Sequence, residues 1–239
     1  MVGMNHKVRF KSEETIALTA ARCWTVFPPK KRPFAFDVIG FLNEVLVAEG
    51  IDTVIATRGR RKGKLAIKFF EREFAQDDPA YVTFAPDQRD DYVTLHVDKK
   101  IWNLAENGES YACEILAHEI GHILLHDHHA NAFSTDGNEQ KLFAGTSKED
   151  FAEWQAIIFA GHLMIPTHAA QKFDDTHILA AATNAPDRVV RERLATVRAM
   201  KKVLQPIYEG DMCAKCTHFT LVREGCSTRC DTCGNREQL

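Results

Sequence analysis

His118-Glu119-Ile120-Gly121-His122-Ile123-Leu124-Leu125-His126 places two imidazoles and a carboxylate within one helical turn. At 3.6 residues per turn, His118 and His122 share a face about 6 Å apart, a separation that one zinc ion can span. Glu119 projects beside them, toward the position of a water on such an ion. Around this string Tyr111, Ile115, Leu116, Ile120, Ile123 and Leu124 recur at helical spacing, which predicts a largely buried helix from about Ser110 to His126. A core helix with hydrogen-bonded histidines is the competing reading. It would have to find other partners for His118, Glu119 and His122 together. The string therefore reads as the metal-binding helix of a hydrolase.

A zinc site of this kind needs a third protein ligand. His128 stands at the spacing used by some three-histidine sites, but that geometry asks for glycine at 125 and the chain has Leu125. The better candidate opens the apolar run Glu153 to Pro166, which ends at a proline stop. Glu153 shares its face with Ile157, Ala160 and Met164, a face otherwise suited to packing. Zinc would neutralise a carboxylate at the head of such a stripe, giving two histidines and one glutamate with the fourth position left to water. A glutamate satisfied by the N-terminal helix dipole is the alternative.

The two elements resemble the ImmA/IrrE family of metallo-endopeptidases, whose pattern is a His-Glu-x-Gly-His-x-x-x-His helix followed by a Glu-x-Gln-Ala helix ending in Leu-Met-x-Pro. Here the second element is Glu153-Trp154-Gln155-Ala156 with Leu163-Met164-Ile165-Pro166. The resemblance spans about Phe34 to Met200. It implies a zincin-like domain with His118, His122 and Glu153 as ligands of a catalytic zinc and Glu119 as general base. It also implies a protein substrate, such as a helix-turn-helix transcriptional repressor. No such DNA-binding unit is evident in this chain, so a repressor target would be another protein. The stretch from Asp127 to Thr146 is longer and richer in histidine than the motif requires, and reads as a lid or a solvated loop.

With that ligand set, zinc polarises a peptide carbonyl and activates water, while Glu119 takes the water's proton and passes it to the leaving amine. Zincins bind an extended peptide against an edge strand. Tyr92 to Val97, with Val93, Leu95 and Val97 on one face, is the candidate strand, or else an ordinary half-buried one. The oxyanion-stabilising group stays open among His126, Tyr111, His162 and His168. His162 falls half a helical rotation from Glu153 and is expected to face away.

A second signal lies at the far end of the chain. Cys213-Ala214-Lys215-Cys216 and Cys230-Asp231-Thr232-Cys233-Gly234 bracket a β-like stretch, Thr217 to Glu224. This is the spacing of a structural tetrathiolate zinc ribbon, whose closed site leaves no position for catalysis. Cys226 lies close enough to replace one ligand. The competing reading, a disulfide framework, is disfavoured by the clustering and by the polar segment Met1 to Lys11, which does not look like a signal peptide. A reducing, cytoplasmic setting is expected. Cys23 and Cys113 read as small core residues.

The remaining pattern is helix near Ser12 to Val26 and Phe34 to Glu49, then strands near Asp52 to Thr57, Leu65 to Glu71, Tyr81 to Phe84 and Tyr92 to Val97. The active helix, the Glu153 helix, a helix after Pro166 and one from Pro186 to Val203 follow. Strands followed by helices argue for an α+β fold, a small sheet packed on helices. Pro28 to Pro33 reads as an extended linker, giving an N-terminal helix with linker over 1–33, a zincin-like metallopeptidase domain over 34–205 and the ribbon over 206–239. With 239 residues and 45% hydrophobic content, the chain can bury a proper core. It contains no run approaching the roughly 18 apolar residues of a membrane span.

A net charge of -3 gives no general pull toward nucleic acid. The basic stretches Arg58 to Lys64 and Arg188 to Lys202 read as solvated faces. The function expected is that of a zinc endopeptidase with one catalytic and one structural Zn²⁺. The alternative is an idle zincin scaffold that binds protein or nucleic acid through its ribbon.

Overall fold

The computed structural model describes residues 8, 10–30, 32–55, 63–71, 78–84, 92–126, 151–204, 212–224 and 227–238. The expectations placed on Arg58 to Lys62, Asp127 to Thr146, His128 and Cys226 lie outside the described residues. The chain divides into two compact units, Met1–Leu194 and Ala195–Leu239.

In the larger unit, side-chain oxygens set where helices begin. The Ser12 hydroxyl accepts the Thr15 amide at the head of α1 (Glu13–Val26). Asp37 accepts the Gly40 amide at 2.9 Å, so the helix expected from Phe34 starts at Val38 instead. This α2 opens as one α-helical turn, Val38–Gly40, and continues as a π-helical stretch, Phe41–Val47. Bonds from the Ala48 amide to the Asn43 carbonyl and from the Gly50 amide to the Val45 carbonyl show the wider winding.

The strand expected from Asp52 is instead a single 3₁₀ turn, Ile51–Thr53. Gly50 enters it with φ 112°, and the Ile51 amide donates to the Gly63 carbonyl at 2.9 Å. The Asp52 carboxylate accepts the Gly63 amide in return. These bonds pin the turn to the start of β1.

The sheet contains β1 (Lys64–Phe70), β2 (Ala80–Phe84) and β3 (Tyr92–Asp98) in the order β1-β3-β2. β3 runs parallel to β1 and antiparallel to β2. Val93, Leu95 and Val97 face the core and are buried, as their alternation required. The expectation that this strand would receive a peptide along its edge is corrected. β3 is the central strand, paired over Tyr92–Asp98 on one side and over Val93–Val97 on the other, so it offers no free edge there.

Asp98 closes β3 and caps α3 (Lys99–Glu106) through the Lys100 amide at 2.8 Å. This helix, absent from the sequence-based pattern, buries Ile101, Trp102 and Ala105. α4 (Ser110–Leu125) follows, with Leu116, Ile120 and Ile123 fully buried. Tyr111 differs from expectation and is 62% exposed. In the first turn, Ala112 and Cys113 face inward instead, with the Cys113 thiol against the Ala105 carbonyl. Tyr111 thus falls on the stripe shared by half-buried Ile115, His118 and His122, at the open side of the helix.

The unit continues with α5 (Ala152–Met164), α6 (Thr167–Lys172), α7 (Thr176–Thr183) and the start of α8 (Asp187–Leu204). α5 packs against α4 on one side and α1 on the other. The Trp24 indole N–H donates to the Leu163 carbonyl at 2.9 Å, and Glu13 lies 3.3 Å from His162. The segment Pro28 to Pro33 joins α1 to α2 in sequence, yet α1 rests on the same core as the rest of the unit. No helix among the described residues is long and apolar enough to cross a membrane.

In the smaller unit, β4 (Leu221–Glu224), β5 (Ser227–Cys230) and β6 (Arg236–Gln238) form an antiparallel meander. Its buried centre is Cys213, Leu221 and Cys230, with Cys216 and Cys233 against them. So little apolar material does not sustain a fold by itself, and the four-cysteine cluster fits a small zinc ribbon.

Candidate metal centre

The site is assembled where α4 crosses α5. Gly121 sits on the inner side of α4, and a Cβ there would lie 3.0 Å from Ala156 Cα and 3.2 Å from the Ala156 carbonyl oxygen. Only a glycine lets the two backbones come this close. That closeness carries Glu153, in the first turn of α5, over the two imidazoles of α4.

Nε2 of His118 and Nε2 of His122 are 3.0 Å apart. Glu153 reaches both, Oε2 at 3.2 Å from His118 Nε2 and Oε1 at 3.4 Å from His122 Nε2. Bonds of about 2.0–2.1 Å around a tetrahedral zinc place neighbouring ligand atoms about 3.3 Å apart. The three donors are thus spaced as they would be around one ion, and two nitrogens with one carboxylate oxygen suit zinc. Glu153 was the ambiguous residue of the sequence pattern. The fold brings it to the histidines rather than leaving it to the helix dipole alone. Of the residues that share its face, Ala160 and Met164 are buried while Ile157 is 44% exposed.

Hydrogen bonds from His118 and then His122 hold the Glu153 carboxyl well below the usual carboxylate range. Burial alone would push His118 down. The Glu153 hydrogen bond and the charges of Glu119, Glu153 and Glu114 outweigh it, so His118 holds a cationic charge more readily than a free histidine. Both shifts report one fact, a strong local preference for positive charge between these groups. Glu119 is buried, and that burial raises its carboxyl pKa more than His122 and His118 draw it down. Asp78, just before β2, is close enough to add to the rise.

The other histidines separate clearly. His126 is buried, with Nδ1 3.0 Å from His122 Nδ1 and Nε2 3.2 Å from the Gln155 side-chain oxygen. His162 faces away, as its spacing implied, and lies between Glu13 and Arg193. Burial and the Arg193 charge bring its pKa down to about 4, against the opposing pull of Glu13. His168 is exposed beside the rings of Trp24 and Phe34. Among these four oxyanion candidates, only His126 touches one of the three converging side chains among the described residues. Cys23 and Cys113 are buried thiols, and burial pushes Cys113 up to about 11.

Gly121 and Gln155 stand in the quoted family pattern, but sequence reasoning gave neither of them a role. A glycine inside a helix costs about 1 kcal/mol relative to alanine, so its presence between two histidines asks for a steric reason. A glutamine in the middle of an apolar run asks for a buried partner. Both signals are local.

In the ribbon unit, Sγ of Cys213 and Cys233 are 3.7 Å apart, and those of Cys216 and Cys230 3.5 Å. Thiolates held about 2.3 Å from a tetrahedral zinc stand about 3.8 Å apart. These are free cysteines rather than disulfides. The two knuckles repeat one turn, in which the Thr217 amide donates to the Cys213 carbonyl and the Gly234 amide to the Cys230 carbonyl.

A mixed α+β unit in which one helix offers two imidazoles and another a carboxylate is a metallopeptidase-type fold. The chain belongs to the peptidase M78 family, whose model, described as the IrrE N-terminal-like domain, matches residues 64–195. That span lies inside the stretch where the motifs carry the ImmA/IrrE resemblance. The chain is also similar to two vitamin B12-dependent ribonucleotide reductases. That of Bradyrhizobium diazoefficiens is 34% identical over 74 residues, which are 31% of this chain and 5% of the reductase. That of Agrobacterium fabrum is 40% identical over 55 residues, 23% of this chain and 4% of the reductase. The chain therefore spans about one-twentieth of the length of these relatives. No solved structure gives a significant match.

Proposed function

We propose that this protein is a zinc-dependent endopeptidase that hydrolyses a peptide bond in a protein substrate. The observation that carries the reading is the convergence of His118, His122 and Glu153 within the span of one ion, with the Glu119 carboxyl buried beside them. His118 Nε2, His122 Nε2 and a Glu153 carboxylate oxygen would hold the metal. When bound, zinc supplies Lewis acidity that activates water at neutral pH and polarises a carbonyl. Glu119 accepts the proton of the attacking water on its carboxylate and delivers it to the departing amine nitrogen. Its burial favours that role, because a carboxylate whose pKa is raised is a stronger base toward the proton of the attacking water.

β2 is the outer strand on the side that packs against α4, and Asp78, two residues before it, acts electrostatically on Glu119. An extended peptide adding to that strand would run past the site. The four cysteines of the second unit would hold a structural zinc, and the ribbon would then serve recognition of the substrate rather than chemistry. A transcriptional repressor or other regulator in a reducing cytoplasm is the substrate class that family kinship favours.

The test is Glu119→Gln. The ligands are untouched, so zinc content should stay at the wild-type level while cleavage is lost. Expressed in cells, the variant should retain a partner that the wild-type protein cuts and releases. Cleavage of that partner by the variant would remove Glu119 from the reaction.

A further inference from the structure

We infer that His126 and Gln155 are positioning residues that dictate which ring nitrogen of His122 faces the metal centre. The inference rests on the proposed reading of that centre and assigns two residues that take no part in it directly.

Three side chains stand in series. His122 Nδ1 and His126 Nδ1 are 3.0 Å apart, and His126 Nε2 is 3.2 Å from Gln155 Oε1. His126 is 3% exposed and Gln155 0%, so water does not compete freely for these groups. A neutral imidazole carries one proton on one of its two nitrogens, and a carboxamide oxygen only accepts. With Oε1 facing the ring, the His126 proton belongs on Nε2, where it is donated to Gln155. Nδ1 of His126 is then an acceptor, and the matching donor is the Nδ1–H of His122. Nε2 of His122 is left with its lone pair exposed, on the side where His118 and Glu153 converge. The opposite arrangement would set two lone pairs against each other at the Gln155 end.

The chain runs across the α4 and α5 packing. His122 and His126 lie one turn apart on α4, while Gln155 lies on α5, two residues beyond Glu153. The same two-helix contact that delivers Glu153 thus also orients His122. Partners of this kind typically change metal affinity by about 10- to 100-fold when removed.

Two measurements test this on the full-length protein. The first uses ¹⁵N-labelled, zinc-loaded wild-type protein and long-range ring correlations. His122 should bear its proton on Nδ1, coupled through the hydrogen bond to an unprotonated His126 Nδ1, and His126 should bear its own on Nε2. A proton on His122 Nε2, or a protonated His126 Nδ1, overturns the inference without any variant having to fold. The second is zinc affinity by chelator competition. His126→Phe, which keeps the ring volume but offers no acceptor, should bind about 10- to 100-fold more weakly. His126→Asn, whose Oδ1 can stand where Nδ1 stood, should recover most of that loss.

Equal affinity in wild type and His126→Phe sinks the relay and leaves the metal centre standing. A wild-type protein that binds no more zinc than His118→Ala sinks the centre and the relay together.

Discussion

Gly121 on α4 meets the backbone of Ala156 on α5 so closely that an added methyl group would sit 3.0 Å from Ala156 Cα. That contact sets the helix separation on which the whole donor set depends. Gly121→Ala gains about 1 kcal/mol of intrinsic helix preference. It also forces apart two backbones that, unlike side chains, have no rotamer to escape into, and overpacking of this kind costs about 1–3 kcal/mol. The variant should be less stable than wild type in urea titrations. It should also hold zinc roughly tenfold more weakly, because Glu153 moves with α5. A variant that loses stability but keeps wild-type affinity would uncouple the helix spacing from the site.

What the sequence disclosed and what it withheld divide by distance along the chain. His118, Glu119 and His122 sit within one turn, and each cysteine pair within one knuckle, so spacing alone placed them. Glu153 was visible as a lone carboxylate heading an apolar run. The alternation of Val93, Leu95 and Val97 identified a buried face, yet nothing local says which strands flank it. β3 turned out to be central because a parallel partner from Lys64–Phe70 occupies its second edge. The start of α3 was written in Asp98, a capping residue lost between two stronger signals. The place of α1 depends on Trp24 meeting a residue 139 positions away, which no periodicity encodes.

That Trp24 bond yields a second prediction. The Leu163 carbonyl belongs to the last turn of α5, where carbonyls have no partner further along the helix. Trp24 satisfies it from α1 at 2.9 Å. Trp24→Phe keeps an aromatic ring near Phe36 and His168 but removes the donor. The expected cost is about 1–2 kcal/mol in a denaturant titration. Zinc affinity should be unchanged in the folded protein, since α4 and the head of α5 are untouched.

His162 makes stability depend on pH. Its pKa is lowered to about 4 in the folded chain by burial and by Arg193. An unfolded histidine titrates near about 6.5. Between these values the unfolded chain binds a proton that the folded chain refuses, so stability is full above about 6.5 and falls as pH drops toward about 4. The loss should be on the order of 3 kcal/mol across that window. Substitution by phenylalanine removes the titrating group, so a plot of urea midpoint against pH should be flatter for His162→Phe than for wild type. Parallel curves would assign the acid sensitivity to other groups.

The ribbon supplies the last prediction, from a residue in an unfavourable conformation. Thr217 follows the first knuckle with φ 62°, and Gly234 follows the second with φ 72°. Both amides close the same turn, at 2.9 and 2.8 Å to the carbonyls of Cys213 and Cys230. Glycine adopts this left-handed backbone freely, whereas a side chain branched at Cβ pays about 1–2 kcal/mol for it. Thr217 is exposed, and its hydroxyl bonds only the neighbouring Cys216 carbonyl among the contacts resolved around it, at 2.7 Å. Thr217→Gly should therefore relieve strain at little loss of contact, slowing zinc release to a chelator several-fold. The converse change, Gly234→Thr, should speed release by a similar factor, since it puts the same strain into the second knuckle. With Leu221 the one apolar residue beside the cysteines in this buried cluster among the described residues, full removal of the metal should unfold the β4-β5-β6 meander. Circular dichroism during chelation would register the loss of the β4-β5-β6 meander, and an unaltered spectrum would mean that the strands stand without the ion.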